Sequence, residues 1–166
     1  MINGDQSGST GDVTVASGAT LGGSGTHGGA VIVAAGGDLA PGEGAIGTLA
    51  VNGTVTLDGD FEVEISGTDG GSSDLLEVTG DLDIDGATLN VTELVAADDA
   101  SYTIATYTGA LTGEFTIGSI PAGYQVVIDE SGTVNEIRLE NLNVAPVNTV
   151  PGAQSVDEDT CLLYTS

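Results

Sequence analysis

The stretches DVTVASGATLGGSGTHGG (12–29) and AVIVAAGGDLAPGEGAIG (30–47) lie end to end and read as one unit written twice. Laid over one another at a spacing of eighteen residues, Val13 meets Val31, Val15 meets Val33, Gly18 meets Gly36 and Leu21 meets Leu39. Each unit opens on Val-x-Val, the period of a strand with one buried face. A glycine corner, one Leu and a Gly-rich stretch follow. The overlapping run LAPGEGAIGTLAVNG (39–53) cannot be a helix interior, because Pro removes a backbone donor and Gly loses too much entropy. It reads as a turn followed by a strand. Short units of strand and glycine corner, repeated near every twenty residues, predict a stacked β-solenoid.

The alternation persists downstream. Val51, Val55 and Leu57 fit one face, as do Phe61, Val63 and Ile65 in FEVEIS, with Glu62 and Glu64 opposite. Leu76, Val78, Leu82, Ile84, Leu89, Val91, Tyr102, Ile104, Leu111, Phe115, Ile117, Tyr124, Val126, Ile128, Ile137 and Leu139 continue it. ELVAADDAS (93–101) reads as a loop. Between Asp12 and Glu140, at roughly 18–22 residues per coil, there is room for about six or seven coils. The expected core includes Leu21, Val31, Val33, Leu39, Val51, Phe61, Val63, Ile65 and Ile84. An all-β sandwich would also alternate, but it would not produce the eighteen-residue self-match.

Residues 20–67 and 72–115 carry, in order, Leu-Gly-Gly-Ser-Gly-Thr, an alternating strand, Leu-Ala-Pro-Gly, Gly-Thr-Leu-Ala-Val-Asn-Gly, then LLEVTG and TLNVT. This series resembles the passenger-associated, autotransporter-type β-strand repeat. The resemblance implies a right-handed parallel β-helix over 12–140, exported to the cell surface and assisting passage and folding outside the cell. NVAPVNTVPGAQSVDEDT (143–160) resembles the opening of an Ig-like or cadherin-like tandem domain of bacterial adhesins, a type that often binds calcium. On this division 1–11 is a partial or flexible start and 141–152 a linker. Residues 153–166 are then a truncated first strand and tail. The last six residues, CLLYTS, resemble translated sequencing-adapter read-through at the end of a metagenomic gene fragment.

Charge narrows the functions. The chain has 25 Asp and Glu against one basic residue, Arg138, a formal net charge of −24. Nucleic-acid binding needs cations to neutralise phosphates, so that class is excluded, and an anionic membrane surface would repel the chain. No apolar run is long enough for a membrane helix. Cys161 is the only cysteine, so no internal disulfide forms. No signal peptide is visible in MINGDQSGSTGD, which fits an internal piece of a longer exported chain.

The motifs with chemical meaning are few. Gly23-x-Gly25-x-x-Gly28 and Gly42-x-Gly44-x-x-Gly47 have dinucleotide-site spacing, but such a site needs a helix after the glycines, and strands are predicted there. Asp81-Leu-Asp83-Ile-Asp85-Gly86 matches the first half of a calcium loop, yet position twelve is Thr92, and Leu82 and Ile84 fit a strand with the carboxylates on its outer face. Calcium is the one candidate cation, with Asp81, Asp83, Asp85 and, by the adhesin resemblance, Asp157, Glu158 and Asp159 as candidate ligands. His27 is the sole histidine and is expected in an exposed turn.

A glycosidase needs two placed carboxylates and a sugar-stacking surface. Asp58, Asp60, Glu62 and Glu64 form one run, but Tyr102 and Tyr107 lie elsewhere. With the autotransporter-type resemblance, the expected function is a non-enzymatic stalk of a large secreted or surface-displayed bacterial adhesin. Its partners would be cell-surface glycans or proteins and the flanking domains of its own chain. A calcium- or glycan-binding module and a polysaccharide-active β-helix enzyme are the alternatives.

Overall fold

The computed structural model describes residues 1–67 and 72–143; the expectations placed on 144–166, including Asp157, Glu158, Asp159 and Cys161, lie outside them. All regular structure among the described residues is β. After β1 (Asp5–Gln6) the chain runs four circuits, each giving one strand to each of three sheets. The first is β2 (Val13–Val15), β3 (Thr20–Gly23) and β4 (Thr26–His27); the second is β5 (Val31–Val33), β6 (Asp38–Pro41) and β7 (Thr48–Val51). The third is β8 (Val55–Leu57), β9 (Asp60–Ser66), a short β10 (Ser72–Ser73) and β11 (Leu75–Val78). The fourth is β12 (Leu82–Asp83), β13 (Thr88–Val95) and β14 (Ser101–Tyr107). β15 (Leu111–Thr112) and β16 (Thr116–Ser119) begin a fifth circuit, and β17 (Tyr124–Asp129) and β18 (Asn135–Asn141) follow as a hairpin, the last elements among the described residues.

Corresponding strands stack in parallel into three sheets, β2-β5-β8-β12-β15, β3-β6-β9-β13-β16 and β1-β4-β7-β11-β14, the last extended by β18 and β17. This is a parallel β-solenoid. A sandwich of antiparallel sheets is overturned by the parallel ladders that join each circuit to the next. The eighteen-residue match is the physical register: Val13 pairs with Val31, Val15 with Val33 and Leu21 with Leu39. At the corner, the Gly18 N–H donates to the Gly36 carbonyl at 2.6 Å.

The expected six or seven coils are not reached, because the circuits lengthen. Along one column Val13 pairs with Val31, Val31 with Val55, Val55 with Leu82 and Leu82 with Leu111, steps of 18, 24, 27 and 29 residues. The extra residues go into corners and overhangs. The second circuit adds the corner after Pro41, the third the antiparallel β9–β10 turnback, and the fourth the outer part of β13. Glu93–Val95, read as loop, thus continue β13, with Leu94 and Val95 exposed.

The core is a set of side-chain columns along the axis. One runs Leu21, Leu39, Phe61, Leu89 and Ile117. All nine core residues expected from the sequence are buried. Ile117 and Ile128, also assigned inward, are 47% and 38% exposed, because among the described residues no further circuit stacks on them. The close coil spacing of about 4.8 Å explains the corner glycines. A Cβ added to Gly59 would overlap the Gly37 carbonyl oxygen of the preceding circuit. Gly59→Ala should therefore lower the unfolding free energy by about 1–3 kcal/mol in urea titration.

Candidate functional site

Asp81, Asp83 and Asp85 flank the buried Leu82 and Ile84, so they line the outside of the solenoid as the alternation implies. Asp81 and Asp83 each accept a backbone hydrogen bond. Asp81 Oδ1 accepts from the Ala110 N–H at 2.8 Å, tying one circuit to the next, and Asp83 Oδ1 accepts from the Asp85 N–H at 3.1 Å. Among the described residues no three of His, Cys, Asp and Glu are grouped as a metal cage. Asp58, Asp60, Glu62 and Glu64 alternate with Phe61, Val63 and Ile65, and Glu62 Oε1 accepts from Asn90 Nδ2 of the next circuit at 2.9 Å.

Both glycine motifs are followed by strands, β5 and β7, rather than by a helix, and β4 lies within the first motif. Their glycines permit close approach of chain to chain. A Cβ on Gly28 would overlap the Ser7 carbonyl oxygen, and one on Gly47 the Ser24 hydroxyl.

His27 is not in an exposed turn. It is 2% exposed and occupies a core column, opposite Val51, which in turn lies opposite Val78 and then Tyr107. Its Nε2 lies 3.0 Å from the Gly11 carbonyl oxygen, whereas the buried Nδ1 has no partner. The sequence reading failed because the eighteen-residue spacing ends at Pro41; His27 and Val51 are 24 positions apart. The imidazole thus fastens the N-terminal segment to the first circuit.

The most unusual group is Asp74, which sequence reasoning missed. It sits between β10 and β11 and is fully buried. The corner after Pro41 folds around it. Gly42 and Gly44 hold positive φ there, and Glu43 does too, at 52°, a conformation that costs a side-chain-bearing residue energy. Asp74 Oδ1 accepts from the Gly47 N–H and Oδ2 from the Glu64 N–H, both at 2.8 Å. Glu64 Oε2 in turn accepts from the Gly44 N–H at 3.3 Å. Burial pushes the Asp74 carboxyl up to about 7; the adjacent Glu64 carboxylate adds to the rise, against the lowering effect of the two backbone donors. No sequence signal marks Asp74, because its partner Gly47 is 27 residues away.

Arg138 is held on β18 by carboxylates on three sides. Its Nη1 is 2.9 Å from Asp129 Oδ2 and 3.7 Å from Glu136 Oε2, and its Nε is 2.8 Å from Glu140 Oε1. Asp129 is drawn down to about 2 by the Ser131 hydroxyl and N–H, with Arg138 helping. The single cation of the chain is therefore consumed in pinning the terminal hairpin. Tyr102 and Tyr107 are buried at 2% and 0% exposure, and Tyr102 packs on Tyr124 with ring centroids 5.7 Å apart. Tyr107 donates to Glu130 Oε1 at 3.1 Å, and burial, then Glu130, push its hydroxyl up to about 12. Neither ring offers a sugar-stacking face.

No protein-family model matches this chain. Over 100 residues, 55% of this chain, it is 42% identical to the adhesin BmaC autotransporter of Brucella suis biovar 1 (strain 1330). The match covers 3% of that much longer protein, so the chain corresponds to a small piece of this relative.

Proposed function

We propose that this chain is a non-enzymatic stalk segment of a large exported bacterial adhesin or autotransporter passenger. The similarity to the BmaC autotransporter adhesin carries the reading. The architecture supports it. Each circuit rests only on its neighbours and adds about 4.8 Å of axial length, so circuits make a spacer of adjustable reach. Acidic residues alternate with the core positions along β9, which keeps the strand faces soluble and mutually repulsive. Outside the cell the segment would fold circuit by circuit and hold neighbouring domains away from the surface. Surface glycans or proteins would be engaged by those flanking domains.

An epitope inserted after Gly44 in the parental gene tests this. That glycine is exposed, and a Cβ there would meet nothing. Antibody should label intact, unpermeabilised cells, and external protease should remove the label. Labelling that requires lysis of the cells would overturn the reading.

A further inference from the structure

The dipeptide Asn-Gly occurs twice, at Asn3-Gly4 and at Asn52-Gly53. An asparagine followed by glycine is prone to lose its side-chain amide, because glycine puts no Cβ in the way as its nitrogen closes on the asparagine Cγ. The solenoid holds the two copies differently.

Asn3-Gly4 is tied down. Asn3 Oδ1 accepts from the Ser24 N–H at 3.2 Å, and Nδ2 lies 2.8 Å from the Met1 sulfur. The Gly4 carbonyl accepts from the Thr26 N–H at 3.0 Å, and the Gly4 nitrogen packs so closely on Gly25 that a Cβ there would stand 2.8 Å from it. Asn52-Gly53 instead forms the bend between β7 and β8. Asn52 is exposed, and among the described residues no hydrogen bond holds its carboxamide or the Gly53 N–H.

We propose that Asn52-Gly53 is a spontaneous deamidation site, and that the isoaspartate formed there loosens the joint between the second and third circuits. A base in solution takes the Gly53 N–H proton, and the nitrogen attacks Asn52 Cγ. The Cγ–Nδ2 bond breaks, ammonia leaves, and a succinimide ring closes. Water then opens the ring at either carbonyl. Breaking the new Cγ–N bond gives aspartate. Breaking the original peptide bond gives isoaspartate, whose main chain runs through Cβ and Cγ. Nothing is oxidised or reduced, and no enzyme is needed.

The isoaspartate inserts one carbon into a corner with no slack. The Asn52 N–H donates to the His27 carbonyl at 2.8 Å on one side, and the Thr54 carbonyl accepts from the Val31 N–H at 3.0 Å on the other. Between them Gly53 is wedged in a glycine column. A Cβ on Gly53 would stand 2.7 Å from the Gly29 carbonyl oxygen, and one on Gly80 would stand 2.8 Å from that of Gly53. The longer main chain therefore pulls on the bond to His27 or the bond to Val31. Aspartate keeps the original chain length and leaves both in place.

The test ages the purified full chain in mildly alkaline buffer, folded and in urea, and follows both asparagines by peptide mass spectrometry. Isoaspartate is scored by labelling with isoaspartyl methyltransferase. In the folded chain Asn52 should convert at least tenfold faster than Asn3, and in urea the two rates should converge. Conversion of Asn3 as fast as Asn52 in the folded chain would overturn the assignment. The isoaspartyl form, separated by ion exchange, should speed amide exchange in Val55–Leu57 several-fold over an Asn52→Asp variant of equal charge. Equal exchange in the two would overturn the loosening of the joint.

Discussion

Val63→Asp should abolish cooperative folding of the central circuits. Val63 is 2% exposed on β9, between Phe61 and Ile65, both fully buried, and it pairs with Val91 of the next circuit. An aspartate there must either ionise in an apolar layer or take up a proton at a cost in free energy, and it leaves a hydrogen-bonding group without a partner. The one Lys or Arg of the chain is Arg138, already bound by Asp129 and Glu140. Such burial costs more than about 4 kcal/mol, against a total stability of about 5–15 kcal/mol for a typical domain. The damage spreads both ways, because β9 stacks on β6 below and β13 above. Glu62→Gln is the control: its side chain points outward and retains an acceptor for Asn90. Thermal melting followed by circular dichroism should show a cooperative transition in the control and none in Val63→Asp. A melt of Val63→Asp within a few degrees of the parent would show that Val63 does not face the core.

The parts of this fold legible in the sequence are those fixed by adjacent circuits of equal length. Val13 to Val31 and Leu21 to Leu39 could be read because nothing is inserted between the units before Leu39. Beyond that point each circuit takes on residues at its corners, so the alternation still marks the inward side chains while the spacing no longer counts the coils. His27 shows the loss most clearly. Its neighbours in sequence are glycine and threonine, and its burial follows only from its place opposite Val51. Ile117 and Ile128 show a different limit. Alternation gives the face of a strand, but exposure depends on whether another layer lies above it. The outer acidic residues were legible as solvated strand faces for the same reason that Phe61, Val63 and Ile65 were legible as core. Asp74 was not, because a lone aspartate in SSDLLEV looks like any other surface acid.

That buried acid sets the second large effect, a stability that falls as the pH rises toward neutrality. The Asp74 carboxyl titrates near 7 in the folded chain against 3.8 ordinarily, so the folded state holds its proton over a range in which the unfolded chain has released it. Stability contributed by that proton is complete below about pH 4 and is lost progressively as the pH climbs through 7, an amount on the order of 2–4 kcal/mol. Protonated, Asp74 can donate to the Glu64 carboxylate. Ionised, it faces that carboxylate in a buried site where, among the described residues, the Gly47 and Glu64 N–H groups are its donors. Surface repulsion among the other acids falls in the same direction on acidification, so the parent curve alone does not isolate the effect. Asp74→Asn does, because it keeps the outer charges and removes the one buried ionisation. Urea titrations at pH 5, 6.5 and 8 should show the gap between parent and variant closing, then reversing in favour of the asparagine, or at least narrowing by more than 1 kcal/mol, as the pH rises. Parallel curves across that range would mean that Asp74 ionises freely, with the corner around Gly42–Gly47 open to water. The strain carried by Glu43 gives the corner reason to open on the alkaline side, where the carboxylate it encloses gains most from hydration.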